Sequence, residues 1–152
     1  MDTKKVIAAL NKVIALEHTA TLQYQQHALL VNGLWRKVFA DFFASQSKSS
    51  LEHAGKFGQK VVVLGGVPTV EVGTVHQSTD LEDMLRQDLE LEKDTMHAYH
   101  EAHALTEGDI ALRTMLEGQI ESEQHDIEEL EMYLGTIKTK GVEREVSIRR
   151  VK

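Results

Sequence analysis

Five residues of this 152-residue chain are of types that ligate metal ions, and they fall at matching places in the sequence: Glu17, His53, Glu92, Glu123 and Asp126. Each sits in the middle of a run of apolar residues spaced by three and four, the spacing of one helical face. Taken singly, an acid or a histidine in such a run reads most simply as a solvent-facing group or a hydrogen-bonded core residue. Taken together, on four helices at similar depth, they point to a shared interior site. Several carboxylates buried side by side lose hydration and repel one another, so a cation or bound protons must compensate. Carboxylate plus imidazole is a ligand set suited to iron, with manganese or zinc as the alternatives.

Four helices must carry these groups. The first is expected over residues 3–32, capped by Asp2 or Thr3, with Val6, Leu10, Val13, Glu17, Ala20, Tyr24 and Val31 on its buried stripe. A second row, Ala8, Ala15, Leu22 and Leu29, covers a neighbouring face and suggests a subunit contact. Asn32-Gly33 ends this helix. The second helix, residues 34–64, turns Phe39, Phe42, Gln46, Ser50, His53, Phe57, Val61 and Leu64 inward and stops at Gly65-Gly66, before the only proline, Pro68. The link that follows, rich in Val, Thr and Gly, is long enough to cross over and return the third helix parallel to the second.

The third helix begins near residues 78–80, where Ser78 or Thr79 before Asp80, Glu82 and Asp83 suits a helix N-terminus. Its stripe is Leu85, Leu89, Glu92, Met96, Tyr99 and His103, and Glu107-Gly108-Asp109 breaks it. The fourth helix spans 110–134 and allows two registers. One turns Ser122 and His125 inward; the other turns Glu123 and Asp126 inward. Only the second keeps Leu116, Ile120, Ile127, Leu130 and Leu134 on one unbroken seam, and it is the one adopted, with His125 flanking the site.

The chain is long enough for one domain with a substantial core. A net charge of −7 argues against general nucleic-acid binding, and the absence of cysteine excludes disulfides, thiolate nucleophiles and cysteine–zinc sites. The N-terminus lacks a signal-peptide pattern, and no apolar run approaches the roughly 20 residues of a membrane span. The expected location is therefore the cytoplasm. Beyond Gly135, Lys138, Lys140, Arg144, Arg149, Arg150 and Lys152 surround Val142, Val146, Ile148 and Val151, which favours an extended tail, with a short helix as the alternative. The organisation expected is all-α: a four-helix bundle over 1–135 and a basic tail over 136–152.

The segments LNKVIALEHTATLQY, EHAGKFGQKVVVLGGVP, DLEDMLRQDLELE and LEGQIESEQHDIEELE carry a resemblance to the bacterioferritins, of the ferritin-like di-iron superfamily, across nearly residues 2–135. The resemblance implies a ferritin-like bundle with a long crossover between its second and third helices. It implies a site using one Glu from each of two helices and a Glu-x-x-His pair from each of the others. By position, Glu17 and Glu92 correspond to the single glutamates, His53 to the histidine of the second helix, and Glu123 to a glutamate that bridges two metals.

Several positions depart from that pattern. Ser50 stands where a second bridging glutamate would be, and Asp126 where the second histidine would be. A serine hydroxyl supplies no negative charge to hold two cations close together, and Glu52 and Glu121 lie about a hundred degrees or more off the required directions. Leu51 occupies the place of the family's haem-ligating methionine, so no haem is expected. Ser45 and Ser49 replace residues that would lead iron toward the interior of a shell. The basic tail does not resemble the short C-terminal helix that closes a 24-subunit cage.

The expected function is thus iron binding with Fe(II) oxidation by oxygen or peroxide and ferric storage, in a homodimer or a larger shell. Impaired oxidation is expected from Ser50. Two other functions fit the sequence: a non-catalytic dimeric scaffold or mixed-shell subunit, and a small di-metal oxidase without storage. The row His97, His100 and His103 reads as a solvated surface, and Tyr24, one heptad after Glu17, as either core or a redox-active residue near the metals.

Overall fold

The computed structural model describes residues 1–139, so most of the basic tail expected from the sequence lies outside the described residues. Four helices make up the fold: α1 (Thr3–Leu30), α2 (Arg36–Val63), α3 (Leu81–Ala104) and α4 (Ile110–Tyr133). Their starts follow from local chemistry. Asp2 accepts a hydrogen bond from the Lys5 amide at 3.2 Å and Asp109 one from Leu112 at 2.9 Å. Such caps are each worth about 1 kcal/mol. At α3 the cap is Asp80, which accepts from Asp83 at 3.0 Å, rather than Ser78 or Thr79; the Ser78 hydroxyl instead receives the Asp80 amide at 3.0 Å. The first helix ends at Leu30, two residues earlier than expected, and Gly33 makes the turn at φ +87°, a conformation glycine takes without strain.

The bundle is built from two antiparallel hairpins, α1–α2 and α3–α4, joined by the crossover between α2 and α3. α1 packs on α2 and α3, and α3 on α4. Tyr24 reaches Glu92 while Tyr99 reaches Glu17, so α1 and α3 run antiparallel and α3 is parallel to α2, the direction a crossover permits. The backbones of α2 and α4 make no close approach. Side chains span that gap instead, among them His53 to Glu123, Gln46 to Asp126 and Lys56 to Gln119.

The apolar core is divided in two. One cluster holds Val6, Leu10, Val13, Phe57, Val61, Leu112 and Leu116; the other holds Tyr24, Phe43, Met84, Leu85, Ile127 and Leu130. Between them lies a polar layer containing Glu17, Ser50, Glu92, Gln119 and Glu123, all buried. Near the start of α2 the fully buried aromatic is Phe43, whereas Phe42, assigned to the inward stripe from its spacing, is half-buried. Phe43 stacks against Tyr24 and His27 at centroid separations of 6.3 and 5.4 Å, while Phe42 packs edge-on to Tyr133 at 5.2 Å.

The crossover lies along α1. Asn11 holds both Val67 and Thr69, Thr19 accepts from the Gly73 amide, and Gln23 from the His76 amide. Beneath it sits a second polar group, fully buried: His27 Nδ1 lies 3.0 Å from Asp88 Oδ2, and Asp88 Oδ1 accepts from Gln23 at 2.9 Å. Replacing one partner of a buried hydrogen-bonded pair leaves the other unsatisfied. Asp88→Asn is therefore expected to cost about 3 kcal/mol in urea unfolding, with metal binding unaffected; a change below about 0.5 kcal/mol would show that the pair does not hold α1 to α3.

Candidate metal centre

Each helix contributes to the polar layer from mid-stripe. Glu17 from α1 and Glu123 from α4 are 2 % exposed, Glu92 from α3 is 4 % exposed, and His53 from α2 is half-buried. The His53 ring turns Nδ1 between two carboxylates, 3.3 Å from Glu17 Oε1 and 3.3 Å from Glu123 Oε1. It is close enough to both for an ion pair, yet it makes no hydrogen bond of good geometry to either. Glu17, His53 and Glu123 bring one donor atom each to within 4.8 Å of one another. A buried nitrogen with no aligned partner, facing two anionic oxygens, is the arrangement that one divalent ion satisfies at once.

Glu92 lies beside this group, its carboxyl facing that of Glu123 closely enough for each to shift the other's ionisation. Asp126 is half-buried at the edge of the layer, where Gln46 donates to its Oδ1 at 3.4 Å. The α4 register therefore places Glu123 and Asp126 inward, with Ser122 and His125 exposed. Ser50 is buried in the layer but brings no charge, and Glu52 and Glu121 point to solvent. Leu51 is exposed on the outer face of α2. The surface histidines do not gather: His97 pairs with Glu101 at 3.2 Å and His103 with Glu117 at 2.9 Å.

Two contributors, Tyr99 and Gln119, are not assigned to the site by the sequence, and Tyr24 is read there as core or as a redox-active residue near the metals. Tyr99 donates to Glu17 Oε1 at 2.6 Å, and Tyr24 donates to Glu92 Oε1 at 2.6 Å. The two bonds are reciprocal across the antiparallel α1–α3 pair, and each tyrosine stands seven residues after the other's acceptor counterpart on its own helix. That repeated Glu-x6-Tyr spacing was the available signal. Gln119 Nε2 donates to Glu123 Oε1 at 2.9 Å, and the sign for it was a buried amide inside an apolar seam.

The electrostatics of the layer show what compensates the carboxylates when no cation does. Burial pushes the Glu17 carboxyl up to about 7, with Glu123 adding to the rise and His53 opposing it. Burial and the charge on Glu123 hold Glu92 well above the usual carboxylate range, and burial raises Asp126 as well. Glu123 goes the other way: burial favours its neutral form, but the adjoining His53 imidazole, the Glu92 carboxyl and the Gln119 amide keep it below its ordinary value. Burial alone would lower His53, yet Glu123 and Glu17 outweigh it and push the imidazole up to about 10. At neutral pH a proton on His53 thus occupies the electrostatic place of a metal ion.

Known proteins resemble this chain in sequence and fold. Residues 7–140 match the family described as the Ferritin-like domain. A bacterial ferritin of Pseudomonas aeruginosa is 27 % identical over 142 residues, covering 91 % of this chain and 92 % of that protein. A nutrient stress-induced DNA-binding protein of a Synechococcus species is 28 % identical over 128 residues, covering 76 % and 73 %. Among solved structures, a ferritin-like, diiron-carboxylate protein from Bacillus anthracis superposes with a TM-score of 0.85 at 31 % identity, covering 88 % of this chain and 98 % of that one. With the four-helix bundle, its crossover and its carboxylate–histidine layer in place, the chain belongs to the ferritin-like family.

Proposed function

We propose that this protein binds Fe(II) in the polar layer of its bundle and oxidises it, as an iron-handling member of the ferritin-like family. The observation that carries this is the His53 Nδ1 held without an aligned partner between Glu17 and Glu123 in the buried layer between the two apolar clusters. Glu17, His53 and Glu123 form the tighter position, with Tyr99 holding the Glu17 carboxylate. Glu92 and Asp126 form a weaker second position, steadied by Tyr24 and Gln46. Bound there, Fe(II) passes an electron to oxygen or peroxide, and the ferric product is the form stored in an assembled shell.

Ser50 weakens the second position because it leaves two cations with one shared carboxylate, Glu123. Leu51 offers no ligand, so haem has no part in the reading. The exposed Leu22, Leu29 and Leu51 on the α1–α2 face support a homodimer as the unit of assembly. DNA binding, named for the Synechococcus relative, is not carried over, since a net charge of −7 gives no general attraction to phosphate.

The test is anaerobic titration of chelator-stripped protein with Fe(II), followed by admission of oxygen, alongside the solution mass. At least one Fe(II) bound per chain and growth of ferric absorption are expected. A mass well above a dimer assigns storage, and a dimer that turns over assigns oxidation alone. Protein that takes up no Fe(II) contradicts the proposal and leaves a scaffold role.

A further inference from the structure

Gln119 is a polar residue where the α4 seam calls for an apolar one. It lies one turn from Leu116 and is 3 % exposed. A buried amide is costly unless both of its ends are paired, and both are: Nε2 donates to Glu123 Oε1 at 2.9 Å, and Oε1 accepts from Lys56 Nζ at 3.3 Å. Lys56 is fixed in turn over the Phe57 ring, 5.3 Å from its centroid. The amide cannot turn over, because that would aim its carbonyl at a carboxylate and its NH2 at an ammonium group.

The four residues close a ring across α2 and α4, whose backbones do not touch. His53 and Lys56 are neighbours on α2, three apart; Gln119 and Glu123 are neighbours on α4, four apart. The His53–Glu123 contact closes one side and Lys56–Gln119 the other. Glu123 has competing attractions, His53 on one side and the Glu92 carboxyl on another, and Gln119 is the neutral donor that decides which way its oxygen faces.

From this geometry we infer that Gln119 is a positioning residue for the metal site, backed by Lys56, which locks Glu123 in its ligating orientation and sets the spacing between α2 and α4. The inference rests on the metal-binding reading given above. Groups that orient a metal ligand from behind are typically worth tenfold to a hundredfold in affinity.

The experiment compares the full chain with Q119L and K56M. Zn(II) affinity is measured by competition with a coloured chelator, and the visible absorption of the Co(II) form reports ligand geometry. Melting of the metal-free protein is followed in parallel. Q119L is expected to lose at least about tenfold in Zn(II) affinity and to alter the Co(II) spectrum, with no fall in metal-free melting temperature that could account for it. K56M, a change at an exposed residue, is expected to shift both readouts in the same direction and by less. A Q119L protein with unchanged affinity and spectrum overturns the inference while leaving the metal reading intact. Should Q119L not fold, unchanged readouts in K56M overturn it. A native chain that binds neither Zn(II) nor Co(II) overturns both.

Discussion

Divalent-metal binding is expected to tighten about tenfold for each unit of pH between roughly 7 and 9, because one proton must leave for one ion to enter. The proton is the one on His53, whose carboxylate neighbours push the imidazole up to about 10 against the effect of burial. Below about 7 the slope should steepen, since Glu17 then also carries a proton. The metal-free protein should respond in the opposite sense. A histidine raised above its unfolded value of 6.5 contributes stability that is complete below 6.5 and is lost as pH climbs to about 10. Glu17, raised from 4.5 to about 7, adds a loss of the same sign over that lower interval. Melting of the metal-free chain should therefore fall from about pH 6 to 10, while the Zn(II)-loaded chain should not follow it. Competition titrations at several pH values measure the first effect and calorimetry the second. An affinity flat between pH 7 and 9 would mean that the ion does not displace the His53 proton.

Ser50→Glu is expected to raise the number of divalent ions held per chain from one to two. Ser50 is buried in the polar layer and sits three residues before His53 on the same face of α2. A carboxylate there would join Glu123 in screening two cations from each other. Without metal the same change adds a fifth acid to Glu17, Glu92, Glu123 and Asp126. The metal-free variant should therefore be less stable than the native chain by roughly 2 kcal/mol, even as the loaded form becomes more stable. Isothermal titration with Zn(II) gives the stoichiometry and urea unfolding the stability. An unchanged stoichiometry would show that position 50 does not face the ions.

Much of this site could be read from spacing alone because the helices are long and the apolar residues around each acid fix its direction. On α4, Ile120 and Ile127 bracket Glu123 tightly enough to decide between two registers. On α1, Val13 and Ala20 do the same for Glu17. What could not be read depended on how helices meet. Tyr99 has the character of a core residue until the antiparallel register of α1 and α3 brings its hydroxyl to Glu17. Gln119 is a polar residue set in the apolar seam of α4, and its role exists only once α2 supplies Lys56 and α4 supplies Glu123. His27 and Asp88 escape a stripe pattern because such a pattern assumes that one flank of α1 is solvated. The crossover covers that flank from Asn11 to Gln23 and makes it interior. Phe42 and Phe43 were separated wrongly for a similar reason: near the start of α2, Tyr24 and His27 draw Phe43 into the core while Tyr133 holds Phe42 at its edge.

Anomalous diffraction from crystals soaked anaerobically in Fe(II) addresses the site most directly. A cation resident in the bundle predicts a peak enclosed by Glu17, Glu123 and His53, about 2.1 Å from Nδ1, stronger than any peak between Glu92 and Asp126. Iron found only at surface groups such as His97 with Glu101, or no iron signal inside the bundle, would contradict it.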